Sequence, residues 1–271
     1  MTRLCSMPSR ARPHSRSKRA TQQIRPPHER ELVRICGLGA VQAVFDRDPG
    51  RVERLFFEPT LRGELEVACR ALGRAHKPYR QVDDAELARI AGTVLHGGIV
   101  AIARPRPLVD LDPEAARGWA GDGKPLLVLD GIGNPHNLGA IARSAAFFGL
   151  ARIVLADRPD QALPSDAAHR VAEGGLEYVA LYRARLPAAL RALRRAYRIL
   201  GTSLVGGSTE IGPSGGRAVA LILGNEKSGL EAATLALCDD VVRIPGGGNV
   251  QSLNVASAAA ILIYLLTRSA G

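Results

Sequence analysis

Apolar residues fall into two regimes along this chain. Between residues 31 and 104 short apolar stretches are broken by charge. Leu32, Val33 and Ile35 lead to Gly37, Ala40 to Phe45 reads as helix, and Val52 to Phe57 as strand. Leu65 to Leu72 fits a helix, Tyr79 to Val82 a short strand, Asp84 to Ile90 a helix, and Ile99 to Ala103 closes a small α/β unit. Residues 105–123, with Pro105, Pro107, Pro113 and several Gly and Asp, read as a linker. From 124 onward the runs lose their alternation: Leu126 to Leu129, Ile153 to Leu155, Val179 to Tyr182, Ile199 to Gly201, Val219 to Leu223 and Val241 to Ile244. Helical patterns at Ala140 to Phe148, Ala188 to Tyr197 and Glu231 to Leu237 separate them. Strands without a polar face, spaced by helices, predict a parallel sheet covered on both sides. Ligands of such sheets bind where loops leave the carboxyl ends of strands, which singles out the loops after Leu129, Leu223 and Ile244.

Charge adds a partner class. The 271 residues carry a formal net charge of +10, which favours a polyanion, and nucleic acid is the commonest. Eight of the positive residues lie in positions 1–30 against Glu29 alone, among Pro8, Pro13, Pro26 and Pro27. So little apolar surface cannot offset ordering entropy, and the segment is expected to be disordered. An RNA tether, a solvated tail and an Arg-rich transit peptide all fit it. The most apolar stretch, Leu253 to Leu266, is interrupted by Asn254 and Ser257 and falls short of the roughly 20 residues a membrane span needs. It reads as a buried helix, with no membrane partner. Cys5, Cys36, Cys69 and Cys238 form no C-x-x-C pair, which argues against a zinc site or a disulfide framework and points to the cytoplasm.

The first loop runs Asp130-Gly-Ile-Gly-Asn-Pro-His-Asn-Leu-Gly-Ala-Ile-Ala-Arg143. A glycine-rich turn opening onto a helix aims backbone N–H groups at an anion. His136 stands where a third glycine would complete a dinucleotide fingerprint, so that reading fails. A helix beginning near Ala140 would put Arg143 in its first turn, against the dipole, as either a solvated arginine or a phosphate or ribose ligand. The second loop, Leu223-Gly-Asn-Glu-Lys-Ser-Gly-Leu230, has Glu226 where a Walker glycine belongs. Gly224 permits close backbone approach by a ligand, and Glu226 sets a carboxylate near a helix start. The third, Ile244-Pro-Gly-Gly-Gly-Asn-Val-Gln-Ser-Leu-Asn-Val255, places three glycines before a buried helix that Ser252 or Asn254 could cap.

In this order and spacing, N-P-H-N-L-G-A-I-A-R, L-G-N-E-K-S-G-L and I-P-G-G-G-N-V-Q-S-L-N-V resemble motifs 1, 2 and 3 of the SpoU (TrmH) family of RNA 2'-O-ribose methyltransferases. Residues 31–104, with G-L-G-A-V-Q-A-V and H-G-G-I-V-A, are similar to the family's small substrate-binding domain. The resemblance implies an α/β protein. A small L30e-like domain would precede a C-terminal parallel-sheet SPOUT domain over 124–271, tied in a deep trefoil knot, although threaded chains are very rare. It implies S-adenosyl-L-methionine as cofactor, no metal, rRNA or tRNA as substrate, and a homodimer in which motif 1 faces the partner subunit. By position, Arg143, Asn137, Glu226, Ser252 and Asn254 take the family's catalytic places, and Thr202, Gly224, Ile244 and Leu253 its cofactor-binding ones. Gly246 departs from the family's usual Met, and Ala172-Glu173-Gly174-Gly175 from its S-x-G-A pattern. An assembly factor that binds RNA without turnover is the reading outside enzymes.

Overall fold

A computed structural model describes residues 32–212 and 215–268. The basic segment 1–30 and Cys5 lie outside the described residues. The first module holds β1 (Val33–Cys36), α1 (Leu38–Arg47), β2 (Val52–Phe57), α2 (Glu66–Arg74), β3 (Tyr79–Gln81), α3 (Asp84–Ala91) and β4 (Ile99–Ala103). Its four-stranded sheet has the order β1-β4-β2-β3, antiparallel except for the parallel pair β2 and β3. The apolar positions explain the pairing: Ile35, Leu55, Phe57, Ile99 and Ala101 are buried together.

The second layer is a seven-stranded, all-parallel sheet. Along the chain come β5 (Val109–Asp110), α4 (Pro113–Gly118), β6 (Leu126–Asp130), α5 (Pro135–Phe147), β7 (Arg152–Ala156), α6 (Asp166–Ala172), α7 (Gly175–Tyr178), β8 (Ala180–Ala184), α8 (Leu186–Leu193), β9 (Tyr197–Thr202), β10 (Ala218–Gly224), α9 (Ala232–Leu235), β11 (Asp240–Val242) and α10 (Val255–Arg268). The strand order is β11-β9-β10-β6-β7-β8-β5. All five residues of β6 are buried. Leu127 and Leu129 pack toward α5 and α10, whereas Leu126 and Val128 pack toward α8. Burial on both faces is why these strands read as continuous apolar runs.

Several expectations differ from the structure. The helix expected from Ala140 begins at Pro135, with Asn134 as N-cap accepting the His136 N–H at 2.9 Å. Arg143 is therefore well inside α5, away from the positive end of the dipole, and the first-turn penalty does not apply. The helix expected over 188–197 stops at Leu193. Tyr197 is instead the first residue of β9, paired with Ala218, its hydroxyl donating to the Ala116 carbonyl at 3.1 Å. Tertiary pairing overrode helix propensity there. The strand expected over 241–244 spans Asp240–Val242. Residues 105–123 contain β5 on the sheet edge and α4, and two further short helices, α6 and α7, lie between β7 and β8.

Candidate active site

The parallel strands β6, β10, β9 and β11 end side by side, and the three singled-out loops follow β6, β10 and β11 at this edge. Asn137, in the first turn of α5, is buried, and its amide nitrogen donates to Glu226 Oε1 at 2.7 Å. The same carboxylate accepts the N–H groups of Gly133 at 3.1 Å and Asn134 at 3.3 Å. Glu226 thus sits at the positive end of α5, an N-terminal helix pairing with a helix other than its own neighbour. Burial alone would raise its carboxyl, yet the Asn137 amide and the N–H groups of Glu226, Gly133 and Asn134 hold it below the ordinary carboxylate value. On its other side Asn137 accepts from Asn254 Nδ2 at 3.0 Å. Asn254 Oδ1 accepts the Ala256 N–H at 2.7 Å and so caps α10.

A second set of bonds shapes the turn before α5. Asn225 donates to the Gly131 carbonyl at 2.6 Å while its Oδ1 takes the N–H groups of Lys227 and Ser228. Gln161 accepts the Gly131 N–H at 3.0 Å, and Arg158 pairs with buried Asp130 at 3.2 Å. Asn225 stood in the second loop's string; nothing in the sequence around Gln161 or Arg158 marked them.

Beside this network opens a cavity of about 700 Å³, within the range of small-molecule sites. Thr202, Gly224, Glu226, Ile244, Ser252, Leu253 and Asn254 all line it. Leu223, Val242 and Leu262 supply apolar wall, and Lys227 and Arg243 bring positive charge. The Nε of Arg243 is buried with no hydrogen-bond partner among the described residues, which suits an anionic group entering the cavity. Apolar walls, backbone edges and a cation together fit a nucleoside bearing an acidic tail.

Two glycine readings change. An added Cβ at Gly224 would overlap the backbone of Gly229 and Leu230, so the loop's own closure requires glycine there. Gly246, Gly247 and Gly248 have nothing within 4 Å of an added Cβ, and none has a positive φ. The chain's own packing gives no reason for these three.

Arg143 does not line the cavity of its own chain. It projects from α5, its guanidinium 2.9 Å from Glu173, both side chains more than half exposed. Eight of the nine expected site residues are therefore in or against one cavity wall, Asn137 through its bonds to Glu226 and Asn254, and Arg143 stands apart on the surface.

Known proteins share the sequence and fold of this chain. Residues 124–264 match the SpoU rRNA Methylase family, and residues 34–109 match the RNA 2'-O ribose methyltransferase substrate binding family. The chain is 34% identical over 241 residues to the 23S rRNA (guanosine-2'-O-)-methyltransferase RlmB of Acinetobacter baylyi, covering 84% of this chain and 94% of that one. It is 34% identical over 235 residues to the uncharacterized tRNA/rRNA methyltransferase YfiF of Escherichia coli O157:H7, covering 86% and 67%. The AdoMet-bound rRNA methyltransferase from Sinorhizobium meliloti shares the fold, with a TM-score of 0.72, 23% identity and coverage of 88% and 87%.

Proposed function

The chain belongs to the SpoU rRNA methylase family, and on that premise we propose that it transfers a methyl group from S-adenosyl-L-methionine to a ribose 2'-hydroxyl of structured ribosomal RNA. One observation carries the reading: Glu226, Asn137 and Asn254, one from each motif, are hydrogen bonded in series at the wall of one cavity.

The cofactor supplies an electrophilic methyl group on a sulfonium. Leu223, Ile244 and Leu253 would form the apolar face for its adenosine, and Arg243, whose Nε has no hydrogen-bond partner among the described residues, would pair with its carboxylate. The Glu226–Asn137–Asn254 series holds the three loops in register, so that alignment, worth up to about 7 to 11 kcal/mol in favourable cases, is built in before RNA arrives. Arg143 presents a planar guanidinium fork suited to a phosphate. Its part is to orient the ribose phosphate and lower the hydroxyl pKa, with the proton passing to phosphate or water.

The reading includes a homodimer in which Arg143 completes the partner's cavity. Its support is that Phe147 on α5 and Tyr264 and Ile261 on α10 form exposed apolar surface near Arg143's own helix. It also includes a deep trefoil knot. The bridge of Ser208 to Val242 and the bond of Asn254 to Asn137, which join segments far apart in sequence, support that reading. Residues 31–104 would serve as the RNA-binding domain and 124–271 as the methylase domain, joined by 105–123. No helix among the described residues is long and apolar enough to cross a membrane. A cytoplasmic setting suits the thiols of Cys36, Cys69 and Cys238, none in a disulfide.

The test is transfer of labelled methyl groups to total RNA, with ribose methylation mapped in cells with and without the gene. A lost 2'-O-methyl mark in ribosomal RNA is the expected result. A mark lost from tRNA alone would move the substrate, and cofactor-free RNA binding with no lost mark would favour the assembly factor.

A further inference from the structure

The segment carrying α6 and α7 lies between two bodies far apart in sequence. Toward α5 the fit is tight enough to require glycine: an added Cβ at Gly175 would stand 2.7 Å from the Cα of Arg143. At Gly139 it would overlap the carbonyl oxygen of Ala168. Toward the first module, an added Cβ at Gly174 would stand 2.9 Å from that of Ala43 in α1. Arg34 of β1 binds Asp166 through its backbone N–H at 2.8 Å and its guanidinium at 2.9 Å.

Beneath these contacts lies a buried ion pair. Arg51, immediately before β2, meets Glu177 of α7 at 2.5 Å, and their side chains are 7% and 1% exposed. Arg51 also donates to the Arg104 carbonyl at 2.8 Å. Arg106 takes the carbonyls of Leu176, Glu177 and Val179 at 2.7, 3.1 and 3.0 Å. Removing one member of a buried pair strands the other, so this pair ties the segment to the module at a cost if broken. Between α6 and α7, Glu173 has φ of 43°, a left-handed backbone that non-glycine residues rarely adopt. There its carboxylate lies 2.9 Å from Arg143. The departure from S-x-G-A in residues 172–175 thus falls on the stretch that touches the arginine.

We propose that the α6–α7 segment sets the position of Arg143 relative to the first module, with Glu173 as a positioning residue and the Arg51–Glu177 pair as the lock. RNA held by that module then meets an arginine whose backbone is fixed by packing and whose exposed guanidinium is directed by Glu173. The inference rests on the methyl-transfer reading above for its consequence in turnover, but its structural content stands separately.

The experiment uses the full chain and two readouts. Amide hydrogen exchange over residues 135–147 is compared between wild type and Glu177→Gln, and kcat with RNA is measured beside the cofactor dissociation constant. Glu177→Gln is expected to speed exchange in α5 several-fold and lower kcat about tenfold, with cofactor affinity unchanged. Glu173→Gly suits the left-handed backbone. A purely structural role therefore predicts equal or better stability with unchanged kcat, whereas positioning predicts a kcat loss of about tenfold. Should Glu177→Gln fail to fold, Arg51→Lys, which keeps charge but loses the bond to Arg104, takes its place. Wild-type exchange in α5, or wild-type kcat in Glu173→Gly, overturns the proposal. If the wild type transfers no methyl group to RNA the function fails instead, and exchange alone decides this inference.

Discussion

Asn137 donates to Glu226 at 2.7 Å across 89 residues of sequence. Because Asn137 also accepts from Asn254 at 3.0 Å, a single amide ties the loop after β10 to the start of α10. A hydrogen bond to a charged group is worth about 1.5–3 kcal/mol. Asn137→Ala should therefore weaken cofactor binding by roughly ten- to a hundredfold in titration calorimetry, and wild-type affinity would show that the series does not shape the cavity.

Arg143 does not line its own cavity and pairs instead with Glu173, so its replacement should separate binding from turnover. Arg143→Ala is expected to bind cofactor as wild type does while losing most methyl transfer, and Arg143→Lys should recover little, since an ammonium lacks the planar fork. Mixing Arg143→Ala with Asn254→Ala chains should restore measurable activity if each cavity draws its arginine from the partner. No recovery in verified mixed dimers would place the arginine's action within one chain.

Close packing at Gly139 gives a stability prediction with its own control. Gly139→Ala forces a methyl group onto the Ala168 carbonyl and should destabilise by about 1–3 kcal/mol. Gly246→Ala, with open space around it, should stay within about 0.5 kcal/mol. Thermal melting of both variants checks the difference, and equal melting points would contradict the packing.

His169 makes stability depend on pH. Burial, then the Arg51 charge, opposed by Asp166 and reinforced by Arg106, pushes its imidazole from 6.5 down to about 4. The unfolded chain takes up this proton below about 6.5 while the folded chain resists until about 4. The contribution is therefore full above pH 6.5 and is lost as pH falls toward 4, about 3 kcal/mol in all. Denaturant melts of wild type and His169→Asn across that window should diverge, and parallel curves would remove the histidine from the account.

Much of this was legible beforehand. β2 and β4 have the boundaries that their apolar runs predicted, because a strand buried against one core has few places to end. The motif strings picked out the loops at one sheet edge, since turn and capping residues cluster where parallel strands end. α6 and α7 escaped notice because seven- and four-residue helices hold too few turns to show a period. Gln161 and Arg158 escaped because polar residues after a strand look like any solvated turn.

By itself, the order of residues determined the layered α/β class, the family and the three strings of the site, because strand burial and loop chemistry are local properties carried by neighbouring positions. Only the tertiary structure decided that Glu226 serves the N-terminus of α5, that Gly224 answers to Gly229, that Arg143 pairs with Glu173 instead of lining its own cavity, and that Arg51 is buried against Glu177. Each of these is a meeting of residues distant in sequence or a direction in space, and hydrogen bonds and packing are settled by distance and angle, which a linear pattern does not contain.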